Sequence, residues 1–150
     1  IFGGGSELEK LQQRVKDAHI DNVISKGFVE KKYIPYILSR SSVNVLNYSQ
    51  SNYNWSRGNS SNKLFEYMAS GKPIISTVKM GYCILDKYQC GLSLEECTPQ
   101  ALAEQILKIH DMPAETYAQM AHNAQEGAKD FDFSVLTERL YHVIESVEQK

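Results

Sequence analysis

Apolar positions along the chain follow two alternating rhythms. Over residues 6–18, Leu8, Leu11 and Val15 recur at the spacing of one helix face, and Ser6-x-x-Glu9 has the form of a capping box. Asn22-Val23-Ile24-Ser25 predicts a short strand that closes at Gly27-Phe28-Val29. Residues 31–40 return to helical spacing through Ile34, Ile37 and Leu38, with Pro35 in the first turn, where a missing N–H costs little. Val43-Asn44-Val45-Leu46 predicts a second strand. Ser61 or Asn62 can cap a helix that runs to Ser70 and stops at Gly71, before Pro73. Ile74-Ile75-Ser76-Thr77 predicts a third strand, too apolar to be half exposed, and Gly91-Leu92-Ser93-Leu94 a fourth. Thr98-Pro99 opens another helix, whose buried face is expected to be Leu102, Ile106 and Leu107. Two more helices follow, one through Tyr117, Met120, Ala121, Ala124 and Ala128, the last through Leu136, Leu140, Val143, Ile144 and Val147.

Short apolar strands alternating with helices indicate parallel βαβ units. The expected fold is α/β: an open parallel sheet with helices on both faces and a helical C-terminus, in one domain over residues 1–150. Ligands of such sheets bind at the carboxyl ends of the strands, against helix N-termini. The segments to weigh are therefore 3–6, 27–30, 47–63 and 77–81. Residues 48–61 lack periodicity and are rich in Ser and Asn, with Tyr48, Tyr53, Trp55, Arg57 and Gly58 among them. A loop of this length inside a compact domain is usually functional or disordered. Its aromatics can stack on a sugar or anchor the loop. Arg57 can meet an anion or remain a solvated charge.

Composition narrows the classes. With 42% hydrophobic and 23% charged residues the chain is globular, and a net charge of −2 supplies no basic field for nucleic acid. No apolar run approaches the ~18 residues of a membrane span. The opening Ile1-Phe2-Gly3-Gly4-Gly5 reads as the tail of a β-strand that begins outside this sequence, with no signal-peptide pattern. The three cysteines, Cys83, Cys90 and Cys97, read as buried, reduced thiols of a cytoplasmic protein rather than a metal site, since no His or fourth Cys joins them. The histidines, His19, His110, His122 and His142, lie on or beside helices with no paired spacing and read as surface or half-buried helix positions. Gly3, Gly4 and Gly5 lack the spacing of a dinucleotide fingerprint, and there is no P-loop.

The strongest segment is Ser61 through Thr77: a polar loop, a capped helix, then a buried strand. Free N–H groups of the first helical turn and the helix dipole favour an anion, and Lys63 adds a positive charge beside them. Glu66 lies one turn in. It can accept from a ribose diol, or simply complement the dipole of its own helix.

The run Asn62-Lys63-Leu64-Phe65-Glu66-Tyr67-Met68-Ala69-Ser70-Gly71-Lys72-Pro73-Ile74-Ile75-Ser76-Thr77 resembles the signature of the retaining GT-B glycosyltransferases of group 1, family 4. Ile1-Phe2-Gly3-Gly4-Gly5 with Glu7-x-x-x-Leu11, Asn22-Val23-x-x-x-Gly27-Phe28-Val29, and Tyr88-Gln89-Cys90-Gly91-Leu92 with Thr98-Pro99-Gln100-Ala101-Leu102 resemble other pieces of the same domain, in order. The resemblance implies the C-terminal, donor-binding domain of a two-domain enzyme, without its first strand-helix unit and without the N-terminal acceptor domain. It implies that Glu66 is the second Glu of an E-x7-E motif and holds the ribose. Backbone at Asn62, Lys63 and Leu64 would meet the diphosphate, Phe28 and Val29 the base, and Gly4 belongs to the glycine turn of the donor site. The first Glu of the motif is replaced by Gly58, as in branches with an N/P-x-K-x-x-E-Y-M-A pattern. The substrate implied is a UDP-, GDP- or similar sugar, transferred with retention in polysaccharide or glycolipid synthesis, without metal or other cofactor. Localisation would be cytoplasmic, with peripheral membrane association through the missing domain. The alternative is a non-catalytic nucleotide-sugar-binding or interaction module.

Overall fold

The computed structural model describes residues 1–49, 55–58 and 61–148. Two compact units divide the chain, Ile1–Ile37 and Leu38–Lys150.

The first unit holds helix α1 (Leu8–Asp17) and a 3-10 turn at Lys31–Tyr33, and closes in α2 (Ile34–Ser39). The expected capping box of Ser6 and Glu9 does not form. Glu7 is the N-cap and makes no side-chain cap bond, because the chain enters the helix through a turn in which the Leu8 N–H donates to the Gly5 carbonyl at 3.2 Å. The strand expected at residues 22–25 is also absent. Pairing is limited to one parallel bridge, Phe2 with Gly27, where the Gly3 N–H donates to the Gly27 carbonyl at 2.8 Å. Ile24 and Phe28 are exposed, so no buried face rewards a longer ladder here. Pro35 is the second residue of α2, as its missing N–H requires.

The second unit carries the sheet. β1 (Asn44–Leu46), β2 (Ile74–Ser76) and β3 (Gly91–Ser93) pair in parallel in the order β1-β2-β3, with Val45 opposite Ile75 and Ile75 opposite Leu92. Ile74 and Ile75 point to opposite faces of β2, and both are 0% exposed, so each face of the central strand is covered. The helices are α3 (Asn62–Ala69), α4 (Ile84–Tyr88), α5 (Pro99–His110), α6 (Ala114–Lys129) and α7 (Phe133–Glu148). The fold is thus the open parallel α/β sheet that the alternating pattern predicts.

One core organises this unit. Leu46, Ile74, Leu64, Met68, Ile84, Leu85, Cys90 and Ala124 cluster, bringing β1 and β2 together with α3, α4 and α6. Phe65 of α3 stacks on Phe131 at 4.4 Å between centroids, and Tyr88 meets the same ring edge-on at 5.9 Å. The Tyr88 hydroxyl donates to Asp130 at 2.5 Å, which ties the end of α4 to the end of α6. α3 stops where predicted: Gly71 has a φ of +65°, and its N–H donates to the Met68 carbonyl at 3.0 Å.

Two helices depart from expectation. α4 has no counterpart among the predicted elements, since five residues are too few to display a period. α5 begins at the predicted Thr98 cap, which accepts from the Ala101 N–H at 3.1 Å, but it is rotated about its axis. Ile109 is its buried residue, with Leu102 and Gln105 half-buried beside it, while Leu107 is 57% exposed. α7 has the predicted apolar stripe, yet Leu140, Val143 and Val147 all remain exposed.

Candidate functional site

The parallel sheet places the carboxyl ends of β1, β2 and β3 on one edge, and α3 starts at that edge because it links β1 to β2. Ser61 is the N-cap of α3. Its extended backbone lets the side-chain oxygen accept from the Leu64 N–H, at a long 3.4 Å. Asn62 and Lys63 are exposed on the first turn, Leu64 is buried at 2%, and Glu66 is half-buried one turn on. Leu64 therefore anchors the turn in the core, while its neighbours face solvent. Of the candidates, Asn62, Lys63, Leu64 and Glu66 lie together on α3. Gly4, Phe28 and Val29 belong to the first unit, where Gly4 and Phe28 are exposed and Val29 is half-buried.

The electrostatics around Glu66 are legible in its neighbour. Burial first, then the charges of Tyr48 and Glu66, push the Tyr67 hydroxyl above its ordinary titration range. Tyr67 thus lies within electrostatic reach of Glu66.

Tyr48 and Thr77 are the parts that pattern reading undervalued. The Thr77 side chain accepts from the Tyr48 N–H at 2.7 Å and donates to the Tyr48 carbonyl at 2.9 Å, pinning the chain after β1 to the end of β2. The Tyr48 hydroxyl shares a hydrogen bond with Ser61 Oγ at 2.5 Å, and its ring lies 5.1 Å from that of Trp55. Trp55 opens a 3-10 turn (Trp55–Arg57), and its carbonyl accepts from the N–H groups of Gly58 at 3.1 Å and Gly81 at 2.9 Å. The tilted contact of the Tyr48 and Trp55 rings, 41° between planes, fits their reading as loop anchors. Tyr53 lies outside the described residues. Gly58 has a φ of +80°, and a Cβ there would lie 2.6 Å from the Tyr82 carbonyl oxygen. A glutamate is therefore excluded from this position as the turn is built. Arg57 is exposed, and Lys79 beyond β2 pairs with Glu95 at 3.0 Å.

Among the described residues, no group of three His, Cys, Asp or Glu is placed to hold a metal ion, and no helix is long and apolar enough to cross a membrane. All three cysteines are free thiols, but only Cys90 is buried; Cys83 is half-buried and Cys97 exposed, because Cys97 lies in the open turn before α5. Burial pushes the Cys90 thiol up to about 12. A thiol reagent at pH 8 is expected to modify Cys97 in the native chain and Cys90 only after unfolding. Cys90 labelling at the Cys97 rate would contradict its place in the core.

Residues 1–127 match the Glycosyl transferases group 1 family. Among curated proteins no sequence match was found. Solved structures share the fold. The chain superposes on Alr3699/HepE of Anabaena in complex with UDP-glucose with a TM-score of 0.70 at 21% identity, over 97% of this chain and 40% of that one. The UDP complex of the same Anabaena protein gives 0.71 at 22% identity, over 97% and 40%. The sucrose-phosphate synthase of Thermosynechococcus elongatus gives 0.71 at 21% identity, over 95% and 35%. The chain thus spans about 40% of the length of the first of these structures. With a parallel α/β sheet, a capped helix at its carboxyl edge and a family match over residues 1–127, the chain belongs to the glycosyl transferases group 1 family.

Proposed function

We propose that this chain is the donor-binding half of a family 4 glycosyltransferase. The intact protein would transfer a sugar from a nucleoside-diphosphate sugar to an acceptor hydroxyl, with retention and without a metal or other cofactor. One observation carries the reading: in a chain of the group 1 family, α3 presents a capped, solvent-facing first turn with Lys63 on it, and the half-buried Glu66 one turn on. The amides of Asn62 and Lys63 and the Lys63 ammonium would hold the diphosphate, with Leu64, whose N–H is held by Ser61, anchoring the turn, and Glu66 the ribose. Preorganised donors at the diphosphate would also stabilise it as it departs. The UDP and UDP-glucose complexes of the Anabaena protein support a nucleotide sugar as ligand. Phe28 and Val29 would meet the base and Gly4 the donor through their backbones. An acceptor domain, a role in surface polysaccharide or glycolipid synthesis, and a cytoplasmic location with peripheral membrane association complete the proposal.

Calorimetric titration with UDP, GDP and ADP tests it. Binding of one nucleotide is expected, and Glu66→Ala should weaken it by about 1.5–3 kcal/mol, the worth of hydrogen bonds to a charged group. Unchanged affinity in a folded variant would sink the role of Glu66. No sugar transfer is expected from these 150 residues alone.

Gly58 favours a second reading, a non-catalytic nucleotide-sugar-binding module, since the first motif glutamate is sterically excluded there. Nucleotide binding without sugar transfer in a protein carrying both domains would select it.

A further inference from the structure

We propose that Tyr48 is a positioning residue that fixes the first turn of α3 for its ligand and couples that turn to Trp55. The inference rests on the reading of the α3 start as the diphosphate site. Three independent contacts converge on this one side chain and its backbone. Thr77 brackets the Tyr48 backbone from the end of β2, at 2.7 and 2.9 Å. The ring meets Trp55 at 5.1 Å. The hydroxyl reaches Ser61 Oγ at 2.5 Å.

The geometry gives the hydroxyl a specific task. Ser61 Oγ caps α3 only loosely, at 3.4 Å from the Leu64 N–H, so the cap alone does not fix the Ser61 side chain. The much shorter bond to Tyr48 does. Tyr48 is in turn held by the sheet, so the position of the first turn is referred to the end of β2. On its other side, the Trp55 turn is locked by close backbone approach. A Cβ on Gly81 would lie 2.1 Å from the Ser56 carbonyl oxygen, and the Gly81 N–H donates to the Trp55 carbonyl at 2.9 Å. A shift of Ser61 on ligand binding is therefore passed through Tyr48 to a ring packed against a fixed turn.

Trp55 is the sole tryptophan, so its emission reports on this contact without any label. The test is a titration with UDP followed by both calorimetry and Trp55 fluorescence, in the unaltered chain and in Tyr48→Phe. The substitution keeps the ring on Trp55 and removes only the hydroxyl. The unaltered chain is expected to change its emission on saturation. Tyr48→Phe is expected to bind about three- to tenfold more weakly, the worth of one hydrogen bond, and to lose the emission change at saturation. A merely structural role would leave that saturating amplitude intact, so its retention overturns the proposal, as does binding that leaves Trp55 silent in the unaltered chain. If the unaltered chain binds none of UDP, GDP and ADP, the donor-site reading falls. The coupling is then decided without ligand, by a double-mutant cycle of Tyr48→Phe and Ser61→Ala in urea unfolding. Non-additive midpoints support it and additive ones overturn it.

Discussion

Met68→Ala is expected to destabilise the second unit by about 2–5 kcal/mol. Met68 is 0% exposed and sits where α3, β1, β2, α4 and α6 converge. Truncation removes its transfer energy and leaves a cavity among neighbours that are already placed by other contacts. Ile74 is held in the ladder, and Phe65 is stacked on Phe131. Collapse into the space is therefore limited, and the cost belongs in the upper part of the range. On a chain of this size the melting temperature should fall by about 5–15 °C. α6 adds a check. A Cβ on Gly127 would lie 2.8 Å from the Met68 terminal methyl and 2.6 Å from the Tyr88 ring. Gly127→Ala should consequently cost less in the Met68→Ala background than alone. Additive costs, or a loss below about 1 kcal/mol for Met68→Ala, would mean that α3 and α6 do not share this core.

How much of this was readable in the sequence depends on the range of the interactions. β1, β2 and β3 each fall inside a predicted strand, β1 and β2 because short, largely buried apolar runs need no partner to be recognised, and the half-buried β3 through its place in the alternation of strands and helices. The α3 segment was legible at both ends for a similar reason: Ser61 and Gly71 act on their own helix. The strand predicted at residues 22–25 failed because local β-propensity earns nothing without a buried face, and Ile24 stays exposed. The rotation of α5 failed because Ile106, Leu107 and Ile109 are all apolar, and only the surface it packs on selects Ile109. At the candidate site, the residue types on α3 were visible, but the Tyr48, Thr77 and Ser61 contacts were not. They join positions 29 and 13 residues apart, and no spacing rule encodes them.

Gly91→Ala is expected to cost about 3 kcal/mol, the upper end of overpacking, and to weaken nucleotide binding as well. Gly91 opens β3 opposite Ile74, and a Cβ there would lie 2.1 Å from the Ile74 carbonyl oxygen. That neighbour is backbone in the middle strand, so no side-chain rotation relieves the contact; β3 or β2 must move. The Ile74 N–H donates to the Cys90 carbonyl at 3.2 Å, and the Leu94 N–H to the Ser76 carbonyl at 2.9 Å, so displacement at Gly91 strains both ends of the β2–β3 ladder. Thr77, which brackets Tyr48, follows β2 directly. A register held by Gly91 is thus part of what places the edge where α3 begins. Gly4→Ala is the stability control: a Cβ at Gly4 meets nothing within 4 Å, and its effect should stay within about 0.5 kcal/mol. Urea unfolding of both variants, with nucleotide titration of Gly91→Ala, checks the argument. Equal stabilities would remove the close strand approach from the account, and a destabilised Gly91→Ala with unchanged nucleotide affinity would separate the sheet from the site.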